Sequence, residues 1–207
     1  MKKHTISKEW LKKHNACSDG YEWSLNKLNG KKMNAKKFIL ELFDGNHYPW
    51  ANWVLVRLFD KTKCVQYAIF CAEQVIDIYE KKYPDDKRPR KAIEAAKEYL
   101  RTPNKKNNRA AAAADAAYAA ADAATAAADS AANYAADAAA TAAATAYAAD
   151  VVDAAATAAY VADSAYAAYA ASYAANYAAN AAARKQLQKT CLEYGIKLLG
   201  DGGMGHE

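Results

Sequence analysis

Between residues 110 and 183 the sequence has no glycine, no proline, no lysine and no arginine. A 74-residue tract thus lacks both helix breakers and every cation, and 46 of its residues are alanine. Alanine loses no side-chain entropy on ordering and has the best intrinsic helix propensity, so the tract reads as helix almost without competition. Leucine, isoleucine, methionine and phenylalanine are missing from it as well. That excludes an ordinary oily core, and such helices gain stability by close approach, many small contacts replacing a few large ones. Aspartate recurs every 7 to 13 residues through most of the tract. A membrane span is excluded, because several carboxylates would sit in hydrocarbon.

Cysteine is scarce too. Cys17, Cys64, Cys71 and Cys191 show no metal-ligand spacing. Cys64 and Cys71 fall in a helical pattern, roughly 10 Å apart along the axis, too far for a disulfide. Reduced, mostly buried thiols in a cytoplasmic protein are expected, and the polar opening Met1–Lys13 lacks the apolar run of a signal peptide. Catalytic signatures are missing: no HExxH, no GxSxG, no phosphate loop after a strand. His4, His14, His47 and His206 are scattered. The expectation is a protein that is not an enzyme and carries no cofactor and no metal.

What is present begins with segregated charge. Residues 1–109 hold 24 Lys/Arg against 13 Asp/Glu, a net of +11, whereas the Ala-rich tract holds seven Asp and no cation. Opposite segments of one chain attract, which predicts the basic half packed against the acidic helices; ordinary solvated lysines are the other reading.

Periodicity predicts an all-α chain, a compact helical bundle with closely packed Ala-rich C-terminal helices, and no strand. Residues 1–101 form a basic helical module. Ser7 caps a short helix to His14, Asp19-Gly20 is a turn, and Tyr21–Leu28 is a helix ended by Asn29-Gly30. Lys31–Phe43 and Trp50–Phe59 follow. Thr62 caps a long helix, Lys63–Lys82, with Val65, Ala68, Ile69, Ala72, Val75, Ile76 and Tyr79 inward. After Tyr83-Pro84, Asp85 or Asp86 caps the helix to Leu100, with Pro89 in its first turn. Residues 102–109 are a loop. The tract 110–183 folds back as two or three helices, breaking near Asp129–Tyr134 and at Asp150 or Asp163, since one unbroken helix would span roughly 110 Å. A helix over 184–199 and a flexible tail, 200–207, complete the chain.

Two constellations suggest binding. Pro84-Asp85-Asp86-Lys87-Arg88-Pro89-Arg90-Lys91 sets two guanidinium groups and lysines at a helix start, whose free N–H groups favour an anion. The arginine fork suits phosphate or carboxylate. The competing reading pairs Arg88 and Arg90 with Asp residues of the Ala-rich tract. Arg57, one turn beyond Trp53, belongs to the same weighing. Tyr166, Tyr169, Tyr173 and Tyr177 make an aromatic stripe with Asn176 and Asn180 alongside. Such rings either fill gaps between Ala faces or line a site for a flat ligand.

The run Trp50-Ala51-Asn52-Trp53 with Arg57, then Cys64-Val65-Gln66-Tyr67-Ala68, then PDDKRPRKAIEAA at 84–96, resembles the Imm5-like group of helical immunity proteins, as does the opening around Ala16-Cys17 and Trp23. That resemblance implies an origin in bacterial toxin loci or phage genomes and a role class without assigned residues. The main expectation is a phage-type counter-defence protein of the host cytoplasm. It would sequester a nucleotide-derived immune signal of the cyclic ADP-ribose or cyclic dinucleotide kind, with Trp53, Arg57, Arg88, Arg90, Lys91, Tyr166, Tyr169, Tyr173 and Asn176 as ligand-binding residues. The alternative is an immunity protein that blocks a toxin or defence effector. An ice-binding role for the Thr residues finds no regular repeat. Lysines on several short helices predict at most nonspecific nucleic-acid binding. Flat Ala faces predict a homo-oligomer, by default a C2 dimer.

Overall fold

The computed structural model of the chain describes residues 4–102 and 181–200. The Ala-rich tract, with its expected breaks and its Tyr166–Tyr177 stripe, and the tail beyond Gly200 lie outside the described residues.

Helices dominate the described part: α1 (Lys8–Lys13), α2 (Ser18–Leu28), α3 (Ala35–Asp44), α4 (Tyr48–Val56), α5 (Lys61–Glu73), α6 (Ile76–Lys82), α7 (Arg88–Arg101) and α8 (Ala181–Gly200). The class is mainly all-α. One small sheet departs from expectation: β1 (Thr5–Ile6) and β2 (Met33–Asn34) pair antiparallel, Thr5 opposite Asn34 and Ile6 opposite Met33. Two residues per strand are too few to show a period of two. Their pairing ties the N-terminus to α3, and Ala35 N–H continues it by donating to the His4 carbonyl.

Caps account for most boundaries. Ser7 Oγ accepts from Trp10 N–H at the start of α1, as expected. Asn29 closes α2 in the left-handed region, φ 44°, followed by Gly30 at φ 71°. The predicted Asp19-Gly20 turn is instead helical, because α2 begins at Ser18 and the Tyr21 N–H already donates to the Cys17 carbonyl. Thr62 is not the cap of α5; the Asp60 carboxylate accepts from Lys63 N–H at 2.8 Å and starts the helix earlier. The expected single helix to Lys82 breaks at Gln74-Val75, where Val75 reaches the Ala72 carbonyl three residues back and takes φ −131°. The break leaves the inward face intact, since Val65, Ala68, Ile69, Ala72, Val75, Ile76 and Tyr79 are all buried.

That face is the centre of the core. α5 packs against α7, whose Ala92, Ile93 and Ala96 are fully buried, and α3 packs against α4 through Phe38, Ile39, Leu42, Val54 and Leu55. α8 closes over α4 and α5. A methyl group at Gly195 would overlap Leu55 and sit 2.9 Å from the Tyr67 ring, so glycine permits this close approach. Tyr194 stacks on Phe70 beside it, ring centroids 3.9 Å apart.

Candidate functional site

The helix start that the sequence offers as an anion grip is already gripped. Asp86 accepts from Arg88 Nη2 at 2.6 Å and from Nε at 3.0 Å. The same carboxylate takes the Arg88 backbone N–H at 3.0 Å and the Tyr79 hydroxyl at 2.7 Å. Four donors on one carboxylate hold Asp86 far below the usual acid range, the Arg88 bonds contributing most. Tyr79 is pushed up, first by burial and then by its bond to Asp86. Arg90 is forked onto Glu80, at 2.9 and 2.6 Å, and reaches Asp77 at 3.1 Å. Both guanidinium groups are therefore engaged, and among the described residues their partners lie in α6 and the α6–α7 turn. Lys91 is exposed. Among the described residues the PDDKRPRK motif is a clasp that fastens α7 to α6.

A different cluster forms between α1 and the end of α4. Arg57 lies over the Trp53 ring, 4.0 Å from its centroid, and donates to the Trp53 carbonyl at 3.0 Å. Trp10 meets Trp53 edge-on at 5.8 Å, and His14 lies 4.2 Å from Trp10. Burial, followed by the charges of Arg57 and Lys13, lowers the pKa of His14. Nearby, His47 stacks on Trp50 at 4.5 Å, and Trp23 meets both. All four tryptophans are half-buried and pack against the core. Exposed Lys8, Lys12, Lys13, Lys31, Lys32, Lys36 and Lys37 sit on α1, around β2 and on α3; none of them makes an ion pair with a described residue.

Between these aromatic groups, walled by α1, α2, α3 and α4, is a half-enclosed cavity of about 280 Å³. Trp50, Trp53 and Phe38 supply flat walls, Leu11, Leu42 and Val54 the aliphatic ones. Asn15 and Cys17, both exposed, stand on its solvent side. Of the sequence-predicted residues that are described, only Trp53 lines it. Trp53 and Arg57 are brought together; Arg88, Arg90 and Lys91 belong to the α6–α7 clasp; Tyr166, Tyr169, Tyr173 and Asn176 lie outside the described residues. Trp10, Trp23, Trp50 and His47 were not singled out as site residues, although all four tryptophans of the chain fall within its first 53 positions.

Among the described residues no three His, Cys, Asp or Glu side chains converge on a common point as metal ligands would. No helix there is long and apolar enough to cross a membrane.

Fold and surface together define a mainly α-helical protein with a half-buried aromatic–cationic cluster. A family model described as "Imm-5 like putative immunity protein" matches residues 55–195, more than half of the chain, and the chain belongs to that family. No curated protein and no solved structure matches it. The matched segment takes in Arg57, α5, α6 and the PDDKRPRKAIEAA string, whereas Trp50-Ala51-Asn52-Trp53 and the cavity walls lie ahead of it.

Proposed function

We propose that the chain is an immunity protein that binds a toxin or effector protein and blocks it without catalysing a reaction. Family membership supports the class. The observation that carries the reading to a surface is the Trp10–His14–Trp53–Arg57 cluster: half-exposed rings and a stacked guanidinium, the residue types that dominate binding energy at protein interfaces. The lysines around it suit an acidic partner and favour fast association at low salt.

The test is co-expression. Each open reading frame adjacent to the gene is expressed with and without this chain. One of them should arrest growth alone and be silenced by the wild type, with silencing lost in the Trp53→Ala/Arg57→Ala double variant. Arrest that the wild-type chain never relieves would contradict the proposal.

Sequestration of a nucleotide-type signal is the other reading, with phosphate against Arg57, Arg88, Arg90 or Lys91; Arg88 and Arg90 already hold carboxylates. Phosphate there would have to displace Asp86, Glu80 and Asp77 from charge-assisted bonds. The thermal midpoint should therefore stay within about a degree when cyclic dinucleotides or cyclic ADP-ribose are added. A saturable rise would restore that reading. Pairing of Ala-rich faces into a C2 dimer belongs to the proposal too, and light scattering should then give a mass near twice 22.4 kDa.

A further inference from the structure

The cavity walled by Trp50, Trp53 and Phe38 has a chemistry that neither the family nor partner binding assigns, and we infer that it is a binding site for a neutral, planar, apolar small molecule of about the size of indole. Size comes first. A dry apolar cavity of about 150 Å³ accommodates benzene; about 280 Å³ leaves room for a fused bicyclic ring. Charge comes second. Among the described residues no carboxylate, ammonium or guanidinium group lines it, so an anionic or cationic guest would lose hydration with no counter-charge to replace it.

Shape and polarity narrow the class. Indole rings and a phenyl ring on the walls favour a flat guest through offset or edge-on contacts. In the buried part, Ser24 donates its hydroxyl proton to the Gly20 carbonyl, which leaves the Ser24 oxygen as an acceptor for one N–H or O–H of the guest. Gly20 keeps the space open. Glycine weakens a helix, yet here a Cβ would stand 3.1 Å from Cys17 Sγ and 3.5 Å from the Trp50 ring, and any longer side chain would enter the cavity.

Cys17 provides a local readout. It lines the cavity and is exposed, whereas Cys64, Cys71 and Cys191 are buried. The full-length chain is treated with iodoacetamide with and without indole, and alkylation of Cys17 is followed by peptide mass spectrometry. Indole should slow that reaction saturably, at least fivefold. Gly20→Leu, which fills the space, should abolish the protection while keeping the helical circular dichroism. Ser24→Ala, which removes the acceptor and leaves the space, should raise the indole concentration needed for half-protection at least threefold. An alkylation rate unchanged up to the solubility limit of indole overturns the inference, and so does equal protection in a folded Gly20→Leu variant. Should Gly20→Leu fail to fold, undiminished protection in Ser24→Ala overturns it.

Discussion

Asp86 collects an arginine fork, a backbone N–H and a tyrosine hydroxyl, and in doing so it converts a motif that reads as a ligand grip into a fastening. The consequence is measurable as acid sensitivity. Asp86 and Glu80 both release their protons more readily in the folded chain, each because of arginine hydrogen bonds. Above the ordinary carboxylate pKa of about 4 neither state holds those protons, and the stabilisation is fully present. As pH falls below that value the unfolded chain takes up protons first, so stability drops until the folded groups protonate as well. Urea unfolding between pH 7 and pH 3 should show this decline, and the decline should be shallower in Asp86→Asn. The same variant should lose about 1–2 kcal/mol at pH 7, a value reduced from that of a buried charged bond because the Arg88 side chain is 41% exposed. An unchanged urea midpoint in Asp86→Asn would show the clasp to be ornamental.

At the scale of elements, the docking of α8 depends on one small residue. Gly195→Ala should raise intrinsic helix propensity by up to about 1 kcal/mol and yet destabilise the chain by about 1–3 kcal/mol. The added methyl group drives Leu55 and Tyr67 apart, and overpacking costs of that size are usual in cores. Equilibrium unfolding decides between the two effects: a stabilised variant would mean that α8 does not lie where Gly195 places it. Helix identity was readable from sequence because the apolar spacing of Val65 to Tyr79 persists through the α5–α6 break. The break itself was hidden for the same reason, since a face that stays buried on both sides leaves no gap in the pattern. Caps misled by one or two positions where several polar residues competed, as with Asp60 and Thr62. Gly20 reads locally as a turn, and only the packing of α2 beside Trp50 explains a glycine inside a helix. The cavity was not legible at all, because its walls come from four elements between Leu11 and Val54 that no local period connects.

For the whole molecule, charge and aromatic placement carry the functional account. The first 109 residues are strongly cationic, and the clasp consumes only part of that charge. Lysines on α1, around β2 and at the start of α3 make no ion pair among the described residues. Association with an acidic protein should therefore slow at least tenfold between about 20 and 500 mM salt, while dissociation changes far less. Stopped-flow mixing with the neutralised toxin would show it, and salt-independent association would place the interface away from the lysines. Arg88 and Arg90, which read in the sequence as ligand groups, hold Asp86, Glu80 and Asp77 in the fold, whereas Trp53 and Arg57 lie together because one helical turn separates them.

The central claim is that neutralisation is stoichiometric binding through the Trp53–Arg57 face. It is tested most directly by titrating the purified toxin with this chain while following toxin activity. Inhibition should be complete at a fixed molar ratio, unchanged by longer incubation, and shifted at least tenfold to higher concentration by Trp53→Ala/Arg57→Ala. Inhibition by a small fraction of an equivalent that deepens with time would mean turnover, and it would contradict the account.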